Sequence, residues 1–353
     1  MATFSETAVF TTRPGHRTFR LGSVALRLNV KAITFSLVAL AGLSLLMVWA
    51  ITLGAFTIPF PDVIKALMGN GTDDTEMVVR SLRLPRILAA VLAGAALAMS
   101  GAIFQGISRN PLVSPDIIGI DSGATLFAVV VMIIGVGEIG VPLAAFAGAV
   151  LTAFTIYVLS WKHGLSMNRL ILVGIGVGAV VDAGSTYMTV KFPIEITRPA
   201  IVWAMGSFYA VNWDDVVLLA GAVLILGPIA VFQMESLRTM QFGDLVSRSL
   251  GMRLEQTRLT LIVIGCALAA VCVSLAGPIG FVALIVPHMA RMLLGAPSAS
   301  VLMFTAVLGA LLMLISDTIA QHYLPVSLPV GVVTGAVGAP YFLFLLYRSN
   351  SRS

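Results

Sequence analysis

The chain has 353 residues, of which 58% are apolar and only 10% charged, at a mean hydropathy of +1.01. A soluble domain carries about 25% charged residues, so a soluble fold is excluded and the bilayer is the solvent. The formal charge of +5 comes from bases dispersed among the connections between apolar runs, which reads as a topology signal rather than a nucleic-acid surface.

Residues 1–31 are polar and basic without apolar periodicity, which predicts a disordered cytoplasmic tail touching anionic lipid. The first apolar run, 32–54, lacks a small-residue cleavage site and reads as an uncleaved span. Nine more runs follow, at 85–105, 116–135, 141–161, 168–190, 213–233, 258–277, 279–295, 299–320 and 328–347. Each approaches the ~20 residues needed to cross ~30 Å of hydrocarbon. The fold class is an all-α polytopic membrane protein of about ten transmembrane helices, forming one domain over 32–348. Gly277 and Pro278 are a breaker pair between runs seven and eight, predicting a tight reversal or re-entrant hinge. The semi-polar, Trp- and Tyr-bearing stretch 196–211 predicts a short interfacial helix.

An even number of spans puts both termini on one face. Fifteen of the bases fall on that face, against six on the other: Lys65, Arg80, Arg83, Arg86, Lys191 and Arg198. Both termini are therefore expected in the cytoplasm. An echo between Arg86–Gly101 and Arg258–Gly277 suggests an inverted repeat of five crossings per half.

No catalytic constellation and no metal-ligand spacing is present. His16, His163, His288 and His322 sit in separate segments, and Cys266 and Cys272 share one apolar run six residues apart, excluding a disulfide framework or zinc site. A GxxxxGK[ST] phosphate loop is absent, so any ATP that drives this protein binds another chain. Gly174, Gly176 and Gly178, and Gly331, Gly335 and Gly338, form small-residue faces for close helix approach. Asp182 lies mid-span, followed by Ser185, Thr186 and Thr189. A carboxylate there costs ~2.5–3.5 kcal/mol against lipid, so it is either hydrogen-bonded within a helix contact or faces a wet path. The basic-side loop Met234–Gln256 reads as a short amphipathic helix pair, with a helix start at Gly243 and Asp244, apolar Leu245, Leu250 and Leu254, and a stop at Gly251.

Several motifs then accumulate in order: Arg83-Leu84-Pro85-Arg86, Gly94-Ala95-Ala96-Leu97-Ala98, Arg109-Asn110-Pro111-Leu112, Gly277-Pro278-Ile279-Gly280-Phe281, Val286-Pro287-His288 with Arg291, and Leu328-Pro329-Val330-Gly331. Over residues 35–347 the chain resembles the FecCD family, the permease subunits of type II ABC importers for ferric siderophores, haem and cobalamin. It is most similar to a ferric enterobactin-type (catecholate siderophore) permease subunit, through Ser108-Arg109-Asn110 and Asp317–Gln321 with Pro325.

The resemblance implies a bacterial cytoplasmic (inner) membrane protein that is not itself an enzyme. It implies a second permease subunit, a homologous heterodimer being favoured over a homodimer. Two ATPase subunits carrying the ATP and Mg, and an extracytoplasmic siderophore-binding protein, complete the set. It makes the 236–255 region the coupling helices, marked by Gly243, Asp244, Arg248, Leu250 and Gly251. It places Asn110, Leu112, Ser166, Met167 and Asn168 at the cytoplasmic gate, and Asp182 with Ser185, Thr186 and Thr189 on the translocation path. Arg83 and Arg86 would meet acids of the binding protein, unless they snorkel to headgroups. An arginine common after span nine is missing near Gln321. The competing functions are a cobalamin or haem permease and, from another class, an ion-gradient carrier using Asp182.

Overall fold

A computed structural model describes residues 16–21, 24–54, 56–135, 140–162 and 164–350. The chain opens with an antiparallel pair of strands, β1 (His16–Leu21) and β2 (Val24–Asn29). Within the stretch 1–31, residues 16–21 and 24–29 pair, and this pairing satisfies backbone groups that a free tail gives to water. Residues 1–15 lie outside the described residues. Asn29 then caps α1 (Val30–Thr52), its side chain accepting from the amides of Lys31 and Ala32 at 3.0 and 3.4 Å, while its own amide donates to Ser300 Oγ at 3.1 Å.

The connection after α1 holds α2 (Phe60–Met68), α3 (Asp73–Glu76) and a π-helical turn, Met77–Arg83, that runs into α4 (Leu84–Ser108). Beyond it lie α5 (Ile120–Ile134), α6 (Gly140–Ser160) and α7 (Met167–Lys191), then a short α8 (Ile194–Trp203) and α9 (Trp213–Phe232). The basic-side pair is α10 (Met234–Met240) and α11 (Asp244–Ser249). The chain finishes with α12 (Leu254–Ala276), α13 (Val282–Leu294), α14 (Ala299–His322) and α15 (Val330–Asn350). Among the described residues, seven helices are long and apolar enough to cross a membrane, and α5, α13 and α15 supply three shorter apolar ones.

Two boundaries differ from the sequence reading. The run at 116–135 becomes helical only at Ile120, because Pro111 and Pro115 favour turns and Gly119 adopts φ +89°. The run at 279–295 yields only the 13 residues of α13, ~20 Å at 1.5 Å per residue and short of a full crossing. Gly277 at φ +71° ends α12, and an added Cβ there would strike the Trp203 carbonyl. The predicted reversal is thus also a close junction with the end of α8.

Helix α4 is the buried spine, packed against α14, α12, α13 and α9. Its small side chains permit this. A Cβ on Gly94 would strike the Gly309 carbonyl oxygen of α14 and come within 2.6 Å of Met313 Cβ, and one on Gly101 would strike the Ala283 carbonyl of α13. Helix α12 plays the same part for the first half of the chain, packing on α6, so each half lays its buried helix against a helix of the other. This interlocked exchange fits the inverted repeat.

Gly94→Val should therefore lower the unfolding temperature of the purified protein, by overpacking worth about 1–3 kcal/mol. Gly176→Ala and Gly335→Ala should not, since nothing lies within 4 Å of either added Cβ. Thermal unfolding in detergent measures both.

Candidate coupling and translocation sites

The basic-side helix pair forms where the loop sequence predicts it. Gly243 at φ +103° opens α11, and Gly251 at φ +81° follows its end. The fully buried Ser247 hydroxyl donates toward the carbonyls of Thr239 at 3.1 Å and Gly243 at 2.8 Å, fastening α11 to α10. Phe242, Leu245, Val246 and Leu250 remain exposed, Leu245 at 87%. A rigid pair thus presents an apolar knob on a basic face.

Asp244, at the first position of α11, joins this pair to two distant segments. Arg109, at the end of α4 with φ 54°, donates through Nη2 to Asp244 Oδ1 at 2.8 Å. Arg258 of α12 donates through Nη2 to both carboxylate oxygens, at 3.2 and 3.1 Å. Its Nη1 donates to the Leu165 carbonyl at 2.6 Å. Glu255, one turn before Arg258, accepts the Leu165 amide at 3.2 Å and lies 3.4 Å from Arg248. Both backbone groups of Leu165 are therefore held by the first turn of α12. Gln241 adds a second tie to α4, donating to the Gly106 carbonyl at 2.7 Å, one of the groups a helix end leaves unpaired.

These contacts bring the predicted coupling residues beside both predicted gate segments. Asn110 and Leu112 follow Arg109 directly, in an Asx turn closed by the Leu112 amide on Asn110 Oδ1 at 2.9 Å. Ser166, Met167 and Asn168 follow Leu165 and begin α7. Arg248 reaches Glu255 but not Asp244, and Leu250 and Gly251 stand clear at the surface. His163 lies outside the described residues. Sequence reasoning missed Arg258, Glu255, Gln241 and Leu165 as members of this cluster. The available signal was the echo that sets Arg258 opposite Arg86.

Asp182 sits past the midpoint of α7 and is exposed on the single chain. No side-chain partner for it occurs among the described residues, so a hydrogen-bonded helix contact within this chain is not formed. Thr186 and Thr189 share its side of the helix, and their hydroxyls donate to the carbonyls of Asp182 at 2.9 Å and Ser185 at 3.1 Å. Ser185 is buried instead. Of the glycines on α7, Gly174 and Gly178 meet residues 118 and 119, whereas Gly176 meets nothing.

On the opposite face, Arg86 is engaged within the chain. Its Nε and Nη2 form a two-pronged pair with Asp317 of α14, at 2.9 and 2.7 Å, with the side chains 18% and 5% exposed. Arg83 donates to the Ile51 carbonyl at 2.9 Å and the Phe56 carbonyl at 2.6 Å. Within the chain both arginines fasten the start of α4 to neighbouring segments, because carbonyl and carboxylate acceptors lie within reach.

A family model, the FecCD transport family, matches residues 42–348. The chain is 41% identical over 307 residues to the Fe(3+)-citrate import system permease protein YfmE of Bacillus subtilis, covering 86% of this chain and 92% of that one. It is 37% identical over 307 residues to the ferric enterobactin transport system permease protein FepG of Escherichia coli, covering 86% and 93%. Among solved structures, an inward-facing conformation of a metal-chelate type ABC transporter superposes with a TM-score of 0.81 at 29% identity, over 90% of this chain and 99% of that one.

The buried Arg86–Asp317 pair makes a separable prediction. Arg86→Met or Asp317→Asn alone should destabilise the protein by about 3–5 kcal/mol, since each strands a buried partner. Arg86→Met with Asp317→Leu should cost much less than the sum of the singles, as a double-mutant cycle of unfolding in detergent would measure.

Proposed function

As the chain belongs to the FecCD transport family, we propose that it is the permease subunit of an ATP-driven type II importer carrying a ferric siderophore across the bacterial cytoplasmic membrane. The observation that carries this reading is the Asp244 cluster. An ATP-driven importer needs a rigid element for a separate motor and a mechanical link from it to the path. Here α10 and α11 are the element, and Arg109 and Arg258 are the links. Relatives named for ferric citrate and ferric enterobactin support iron chelates as the cargo class.

The face bearing both termini and α10–α11 is cytoplasmic in this proposal, with the exposed knob at Phe242, Leu245 and Leu250 seated on an ATPase subunit that holds ATP and Mg. Two such subunits serve a pair of permeases, a homologous heterodimer being favoured. Asp182, Thr186 and Thr189 face the path between the two permeases, where water spares the carboxylate the cost of lipid contact. An extracytoplasmic siderophore-binding protein docks on the opposite face. Exposed Lys65 and Arg80 offer the rim charges there, since Arg86 is committed to Asp317.

Nucleotide-driven displacement of the knob pulls on Asp244, and through its two arginines moves the Asn110–Leu112 turn and the Leu165–Asn168 segment together. Asp244→Asn should cut uptake at least tenfold while ATP hydrolysis by the assembled complex persists, and Asp244→Glu should restore part of it. Full uptake by a normally expressed Asp244→Asn protein would contradict the link. The cargo is tested in proteoliposomes holding the full complex, with iron-labelled citrate, catecholate and hydroxamate chelates and labelled cobalamin. Uptake of at least one ferric chelate, dependent on ATP and indifferent to a protonophore, is expected. Uptake of cobalamin alone, or uptake driven by an ion gradient without ATP, would overturn the proposal.

A further inference from the structure

A cavity of about 320 Å³ opens beside the Asp244 cluster, where α4, α10 and α13 end together. Arg109, Arg291 and His288 line it, with the amides of Gln105 and Gln241. Among the described residues no carboxylate lines it. Arg109 is already paired with Asp244 outside the cavity, whereas Arg291 meets no acid among the described residues. The Arg291 Nη2 donates to Gln105 Oε1, and Gln105 Nε2 donates in turn to the Ala283 and Leu284 carbonyls at 3.3 and 2.9 Å. This chain of bonds orients the guanidinium without neutralising it. A half-buried cation held in place with free donors suits an oxyanion.

The mouth indicates how that oxyanion arrives. Met292 lines the cavity and is 54% exposed, and its neighbours on α13, Met289 and Leu293, are 36% and 57% exposed. A basic recess thus adjoins the exposed apolar surface near the end of α13. A phosphate enters the recess while acyl chains lie along α13, the pattern of headgroup pockets between helices on the cytoplasmic side.

We infer that the Arg109–His288–Arg291 cavity binds the phosphate of an anionic phospholipid and thereby braces the end of α4 against α10 and α13. The inference rests on the orientation proposed above, with the basic face in the cytoplasm, but its test does not depend on transport. Full-length protein in mild detergent is titrated with phosphatidylglycerol, phosphatidylcholine or inorganic phosphate, and bound species are read by native mass spectrometry and by thermal shift.

Phosphatidylglycerol is expected to bind at least tenfold more tightly than phosphatidylcholine. Arg291→Gln should remove that preference and Arg291→Lys should keep most of it. Saturable inorganic phosphate binding that is lost in Arg291→Gln would support the oxyanion site and identify free phosphate as its source. Because Arg291→Gln can disturb folding by releasing Gln105, the wild-type comparison stands by itself. Equal affinity for the two lipids together with no saturable phosphate binding would overturn the inference, as would a preference that survives unchanged in a folded Arg291→Gln protein.

Discussion

The carboxylate of Asp244 stands between two arginines that come from different halves of the chain, Arg109 at the end of α4 and Arg258 in α12. Arg258 is 5% exposed and cannot shed its charge, so its location is tolerable only with an anion beside it. That requirement fixes where α11 begins. Since the same guanidinium also holds the Leu165 carbonyl, and the same carboxylate also holds Arg109, the position of the knob determines the positions of two connections far from it in sequence. A flexible loop would dissipate displacement; a helix pair pinned at its first residue transmits it.

The opposite face repeats the device. Arg86 near the start of α4 meets Asp317, as Arg258 near the start of α12 meets Asp244. The surroundings differ in a way that suits different duties. Asp317 is 5% exposed and pairs with one arginine, giving a closed, static clamp. Asp244 is 45% exposed and shared between two, so water can compete for it and the geometry can shift at lower cost. Between the two clamps, Gly94 and Gly101 let α4 touch its neighbours at backbone distance, which makes α4 a stiff rod joining the faces.

The seven long apolar helices were legible because each is a long apolar run with breakers at its ends, and hydrocarbon leaves the backbone few alternatives to a helix. The pair at 234–249 was legible from Gly243, Asp244 and Gly251, whose turn chemistry is local. What was not legible depends on residues far apart in the chain. Arg258 meets Leu165 across 93 positions and Arg86 meets Asp317 across 231. A lone arginine at a helix start looks the same whether it snorkels, docks a partner or turns inward. The π-helical turn at Met77–Arg83 was also hidden, since it reflects backbone bonding register rather than composition. The strands at 16–21 and 24–29 escaped because six-residue segments broken by basic residues carry little pattern.

Rigid transmission through Asp244 is tested most directly by distances in the assembled complex. Spin labels at Leu250 on the knob, Leu112 in the turn after α4 and Lys65 on the opposite face, with Cys266 and Cys272 replaced, give three pairwise separations with and without nucleotide. Rigid coupling predicts that the Leu250–Leu112 distance stays constant while both labels shift relative to Lys65. A Leu250–Leu112 distance that changes with nucleotide as much as the distances to Lys65 would show that the knob and the turn move independently, and would contradict it.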